Sequence, residues 1–92
     1  MSKNAFNRGD TALSLKGRDK GNYFIIIDSE NGFAWVSDGK VRKSSKPKKK
    51  NVKHLKKIST ASFIEIAERI NKGEPIADKK IKKAIKALNE KI

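Results

Sequence analysis

Ten lysine and arginine side chains fall within residues 40–57, in the run K-V-R-K-S-S-K-P-K-K-K-N-V-K-H-L-K-K, and no acidic residue lies among them. Ammonium and guanidinium groups at this density neutralise phosphates and release counterions. The chemistry they imply is polyanion binding whose affinity falls steeply with salt. The charge is also local. Residues 1–39 carry five basic and five acidic side chains and residues 58–92 carry eight and five, so the formal net charge of +13 divides as 0, +10 and +3. Charge confined to one segment is a footprint for a polyanion rather than a general solubility device. An anionic membrane would favour apolar anchors among the lysines, and residues 43–53 offer only Val52.

Within this block Lys40, Lys43, Lys46, Lys48, Lys49, Lys50 and Lys53 act as point charges, which give affinity more than sequence choice. Arg42 is its one guanidinium, able to bind a phosphate with two hydrogen bonds or to stack on a base; pairing with Asp38 is the competing use. A second cluster precedes it. Gly17 and Gly21 bracket G-R-D-K-G, from which Arg18 and Lys20, with Lys16 just before, can project toward phosphates while the glycine backbone approaches a sugar or base. The plain alternative is a solvated turn in which Asp19 offsets one cation. His54 can touch RNA through a ring nitrogen or by stacking, or simply pack beside a strand. Tyr23, Phe24, Phe33 and Trp35 are candidate base-stacking platforms. In a chain only 36% apolar they also serve as core, and Phe24 is assigned there.

Other chemistries lack their parts. There is no cysteine and only one histidine, so neither a thiolate nucleophile nor an ordinary zinc site can be built. The glycine loop lacks the G-x-x-x-x-G-K-[ST] spacing of a nucleotide-binding loop, and no Ser/His/Asp pattern stands out. The expectation is a protein that is not an enzyme and uses no cofactor or metal. No signal-peptide stretch is seen in residues 1–10, and the longest apolar run, residues 23–27, is far too short to span a bilayer. A cytoplasmic location without membrane contact is expected.

The elements that must position these groups are legible in outline. Residues 1–10 are polar and read as a loose or weakly docked N-terminus. A short strand follows from Thr11, and Y-F-I-I-I-D at 23–28 is a second, apolar on alternate residues of both faces and so covered on both sides. Asn31 and Gly32 mark a tight hairpin into F-A-W-V-S at 33–37, and Asp38 with Gly39 marks a further turn, after which Val41 and Arg42 fit a short strand. Lysine repulsion makes 43–53 an extended basic loop, with a last short strand around Leu55 and Ile58. Strands joined by glycine turns suggest a small barrel over 11–58. From 59 to 92 the apolar period becomes helical. Phe63, Ile66, Ala67 and Ile70 form one stripe behind a Ser62–Glu65 capping box. Ile81, Ala84, Ile85, Leu88 and Ile92 form another behind Asp78, giving two helices that form a hairpin or fold onto the sheet, and the lysine-rich face of the second helix is a further candidate phosphate contact.

The blocks L-K-G-R-D-K-G-N-Y-F-I-I-I-D, V-S-D-G-K-V-R-K and K-P-K-K-K-N-V-K-H-L, together spanning residues 15–55, resemble the KOW-domain RNA-binding family, with Gly21 as the signature glycine. In their order and spacing they look like the short bacterial KOW proteins related to the fourteen-e class of large-subunit ribosomal proteins. A-L-S-L stands where that family has a valine-rich first strand. The resemblance implies an α+β, mainly β architecture: a small SH3-like barrel followed by a C-terminal two-helix segment. It also implies ribosomal or ribosome-associated RNA binding, with Lys16, Arg18, Lys20, Gly21, Lys40, Arg42, Lys43, Lys46, Lys48, Lys49, Lys50, Lys53 and His54 as the contacts. The partner would be ribosomal RNA in the large subunit, with a protein partner on the C-terminal helices as a further option. A KOW-type protein-interaction module and a non-specific DNA-binding protein are the alternatives.

Overall fold

The computed structural model describes residues 6–58, 68, 69, 72, 73 and 77–90. Its centre is set by the most apolar segment. The aromatic and β-branched run forms β2 (Tyr23–Glu30), and Phe24, Ile25 and Ile26 are buried in succession, so both faces of this strand are covered. Asn31 and Gly32 both take positive φ, 50° and 83°, the backbone that a two-residue hairpin needs to follow the strand twist. They turn the chain into β3 (Phe33–Ser37). The register of this hairpin slips by one residue between Ile26 and Asp28, a bulge that leaves Ile27 unpaired. On its other side β2 pairs with β1 (Thr11–Ser14).

Two further strands flank these three. The lysine-rich segment is not all loop: β4 (Lys48–Asn51) pairs with β3, placing Lys49 opposite Trp35 and Lys50 opposite Ala34. A single 3-10 turn (Val52–His54), capped by the Asn51 side chain, leads into β5 (Leu55–Ile58), which pairs with β1. The sheet is antiparallel throughout, in the order β4-β3-β2-β1-β5. No strand forms at Val41 and Arg42, where Asp38 instead folds the backbone into a turn.

The expected closed barrel with a two-helix tail is therefore corrected. Among the described residues β4 and β5 are the two edges, and no ladder joins them: the 3-10 turn occupies the residues that a hairpin between them would use. One complete helix is described, α1 (Asp78–Glu90). The expected helix at 62–70 lies outside the described residues except for Glu68 and Arg69, which are helical. Among the described residues, α1 lays Ile81, Ala84 and Leu88 on Ile25, with Tyr23, Ile27, Ile58 and Ile85 at the margin. The stripe spacing explains this, because positions three and four apart face one side of a helix.

The opposite face of the sheet holds the main core of Phe6, Ala12, Phe24, Ile26, Ala34, Val36, Val52 and Leu55. Phe6 docks residues 6–10 on this core, the second of the two expectations for the N-terminus. Its ring is buried, Gly9 N–H donates to the Ile26 carbonyl at 2.7 Å, and Ile26 N–H donates to the Asp10 carbonyl at 2.8 Å. Among the described residues no helix is long and apolar enough to cross a membrane.

Candidate nucleic-acid interface

The G-R-D-K-G turn closes the β1–β2 connection. Gly21 N–H donates to the Ser14 carbonyl and Ser14 N–H to the Asn22 carbonyl, each at 2.9 Å, while Gly17 and Gly21 take φ of 92° and 89°. These conformations require glycine. The turn sends its two kinds of charge in different directions. Arg18 and Lys20 are exposed. Asp19 points inward, where it accepts from Ser14 Oγ at 2.7 Å, Lys50 Nζ at 2.5 Å and Lys48 Nζ at 3.2 Å. Burial by itself raises the Asp19 pKa. Hydrogen bonds from Lys50, Ser14 and Lys48, with the Lys50 charge, outweigh that and hold it at about 2.

This network sorts the lysines of β4. Successive side chains of a strand alternate in direction. Lys48 and Lys50 turn to Asp19, and Lys50, 8% exposed, also donates to the Lys16 carbonyl at 3.0 Å. Lys49 leaves on the other side, with its Nζ 4.3 Å from the centre of the Phe33 ring and 5.8 Å from that of Trp35. Lys50 is thus a structural cation committed to an internal carboxylate, and Lys48 is half-committed. The sequence alone groups both with the phosphate contacts.

The turn after β3 is built by Asp38. Its Oδ1 accepts from the backbone N–H of Lys40 and of Arg42, both at 2.9 Å. The Arg42 carbonyl in return accepts from Ser37 Oγ and from the N–H groups of Asp38 and Gly39. Asp38 binds the Arg42 backbone and not its guanidinium, which has no ion pair among the described residues. Gly39 lets α1 come down on this turn. A Cβ there would collide with the Asp78 carbonyl and stand 3.0 Å from Ile81 Cβ. Asp78, expected as a helix cap, sits in the first turn of α1 and uses Oδ1 to accept the Ser44 N–H at 2.7 Å, tying the helix start to the basic segment.

These turns enclose two adjoining grooves. One, about 300 Å³, lies between Arg18 and Asp19 on one side and Arg42 and Lys48 on the other. The other, about 400 Å³, lies between Gly21 and Tyr23 on one side and Lys40, Lys82 and Lys86 on the other. Asn22, Asp38 and Val41 belong to both. Arg18, Gly21, Lys40, Arg42 and Lys48 are accordingly brought together as the sequence groups them. Lys16, Lys20, Lys43, Lys46 and Lys53 are exposed but line neither groove, Lys49 sits on the Phe33–Trp35 face, and His54 is half-buried in the 3-10 turn. Of the aromatics, Phe24 is core, Tyr23 is half-buried against the α1 cluster and a groove wall, and Phe33 and Trp35 keep exposed area beneath Lys49.

Asn22, Asp38 and Val41 are groove residues that residue type alone does not reveal. Lys82 and Lys86 come from the lysine-rich helix face, and the only signal placing that face here is Gly39, whose missing side chain admits α1. No protein-family model matches the chain, and no curated protein sequence matches it.

Proposed function

We propose that this protein is a non-catalytic RNA-binding module of the KOW type, acting on the ribosome or on ribosomal RNA in the cytoplasm. The observation that carries the reading is the convergence of Arg18, Lys40, Arg42, Lys82 and Lys86 around two adjoining grooves, none of them ion-paired among the described residues. Cations held apart from internal carboxylates are available to phosphate, and their removal from water on binding is offset by the counterions that the nucleic acid releases. Of the carboxylates that line the grooves, Asp19 is paired with Lys48 and Lys50, and Asp38 accepts two backbone N–H groups through one of its oxygens. The KOW-like blocks favour RNA over DNA, since phosphate contacts alone do not distinguish the two.

Crosslinking of the tagged protein in its own cells, followed by sequencing of the attached nucleic acid, tests the reading. Reads concentrated on one region of large-subunit ribosomal RNA are expected. Reads on DNA, or an association that survives nuclease and high salt, would replace it with the DNA-binding or protein-interaction alternative.

A further inference from the structure

The surface between the two grooves is chemically odd for a phosphate-binding face. Val41 stands at their junction, 78% exposed, with Arg18, Arg42 and Lys48 lining the groove on one side and Lys40, Lys82 and Lys86 lining the groove on the other. Beside it, in both grooves, lie Asn22 and Asp38. Asp38 Oδ1 is occupied by two backbone N–H groups, and no hydrogen bond to its Oδ2 is found among the described residues. A carboxylate repels phosphate, so phosphates belong with the outer cations and not over the shared centre. That centre offers an apolar side chain, an amide and a carboxylate oxygen. This set suits the face and the donor-bearing edge of a nucleobase.

Resting on the RNA-binding reading, we propose that the RNA taken here is a strand with unpaired bases, one of which seats on Val41 between the two grooves. Its backbone crosses from the Arg18 and Arg42 side to the Lys40, Lys82 and Lys86 side, and Asn22 and Asp38 meet the edge of the seated base. Double-stranded RNA does not supply this partner. Its bases are stacked inside, its deep major groove excludes side chains, and its exposed backbone would leave Val41 facing sugar and phosphate.

The test compares a short unstructured single-stranded RNA with the blunt duplex it forms with its complement, by fluorescence anisotropy on the full chain at several salt concentrations. The single strand is expected to bind more tightly. Val41→Ser should weaken single-strand binding about tenfold, the equivalent of one valine side chain's burial, and leave duplex binding and thermal stability unchanged. Val41→Phe, which enlarges the seat, should tighten the single strand. Equal affinity for the two RNAs, or a Val41→Ser effect that is absent or the same on both, overturns the unpaired-base inference while leaving RNA binding in place. Binding of neither RNA, even at low salt, overturns both readings.

Discussion

The carboxylate of Asp19 and the ammonium of Lys50 meet at 2.5 Å although they lie on separate elements, the β1–β2 turn and β4, and their side chains are only 13% and 7% exposed. This pair anchors the turn that carries Arg18 to the strand within the basic segment. It also divides the lysine cluster by role: Lys50 holds the fold together, and Lys49, its neighbour in sequence, does not.

Lys50→Ala should therefore unfold the protein more easily, by about 3 kcal/mol, because it leaves Asp19 enclosed without its main partner. Lys49→Ala removes only an exposed cation over Phe33 and should cost well under about 1 kcal/mol. Urea unfolding of the two variants reads the difference directly. Equal, small effects would show that the Asp19 pair carries no stability. A combined Lys48, Lys49 and Lys50 alanine variant mixes a binding effect with a folding defect and should not be used to measure binding.

Acid should expose the same pair. The Asp19 pKa is lowered on folding from the ordinary 3.8 to about 2, so its stabilising contribution is fully present above the unfolded value and is lost as pH falls through the folded one. The loss, about 2 kcal/mol, falls between roughly pH 4 and pH 2. Stability measured across that window should show a steeper decline in the native chain than in Asp19→Asn, which has no carboxyl to protonate there.

Two glycines separate backbone strain from packing. Gly21 has φ of 89° and open space where a Cβ would go, so Gly21→Ala should cost about 1 kcal/mol of local strain and leave α1 in place. At Gly39, φ 71°, a Cβ meets Asp78 and Ile81, so Gly39→Ala should cost distinctly more and undock α1 from the turn. Amide chemical shifts at Ser44, whose N–H is bonded to Asp78, report the undocking. Unperturbed Ser44 in Gly39→Ala would refute this account of how the helix is seated.

Salt dependence should count the cations. If Arg18, Lys40, Arg42, Lys82 and Lys86 each neutralise one phosphate of a single strand, log affinity should fall against log salt with a slope of about −3.5. Arg42→Ala should flatten it by about 0.7, and Lys82→Ala by a similar amount even though Lys82 lies on α1, remote in sequence from the basic run. Titration of a fluorescent RNA at several salt concentrations measures both. No change for Lys82→Ala would remove the helix from the interface.

The strands were legible where a local pattern carries them. The run at 23–28 reads as a strand covered on both faces, and Asn31 with Gly32 favours a tight turn, as the structure has them. The concentration of cations in 40–57 was likewise written in the residues, as was the apolar stripe of α1. Lysine repulsion suggested a loop throughout 43–53, but pairing with β3 and neutralisation by Asp19 make β4 a strand. Barrel closure failed as an expectation because a 3-10 turn, not a hairpin, joins β4 to β5, and among the described residues no ladder connects these two edges.

Composition, turn residues and periodicity are local properties, and they suffice to set a basic segment against a small β-rich core. Which cations are free depends on contacts between distant parts of the chain. Lys48, Lys49 and Lys50 are chemically identical, and their separation into paired, outward-facing and buried groups follows from strand alternation and from an aspartate far away in the chain. The same holds for the groove walled by Lys82 and Lys86, which exists because a glycine without a side chain lets a distant helix settle on a turn. Contacts of that kind depend on how separate elements meet in space, and no spacing within either element encodes them.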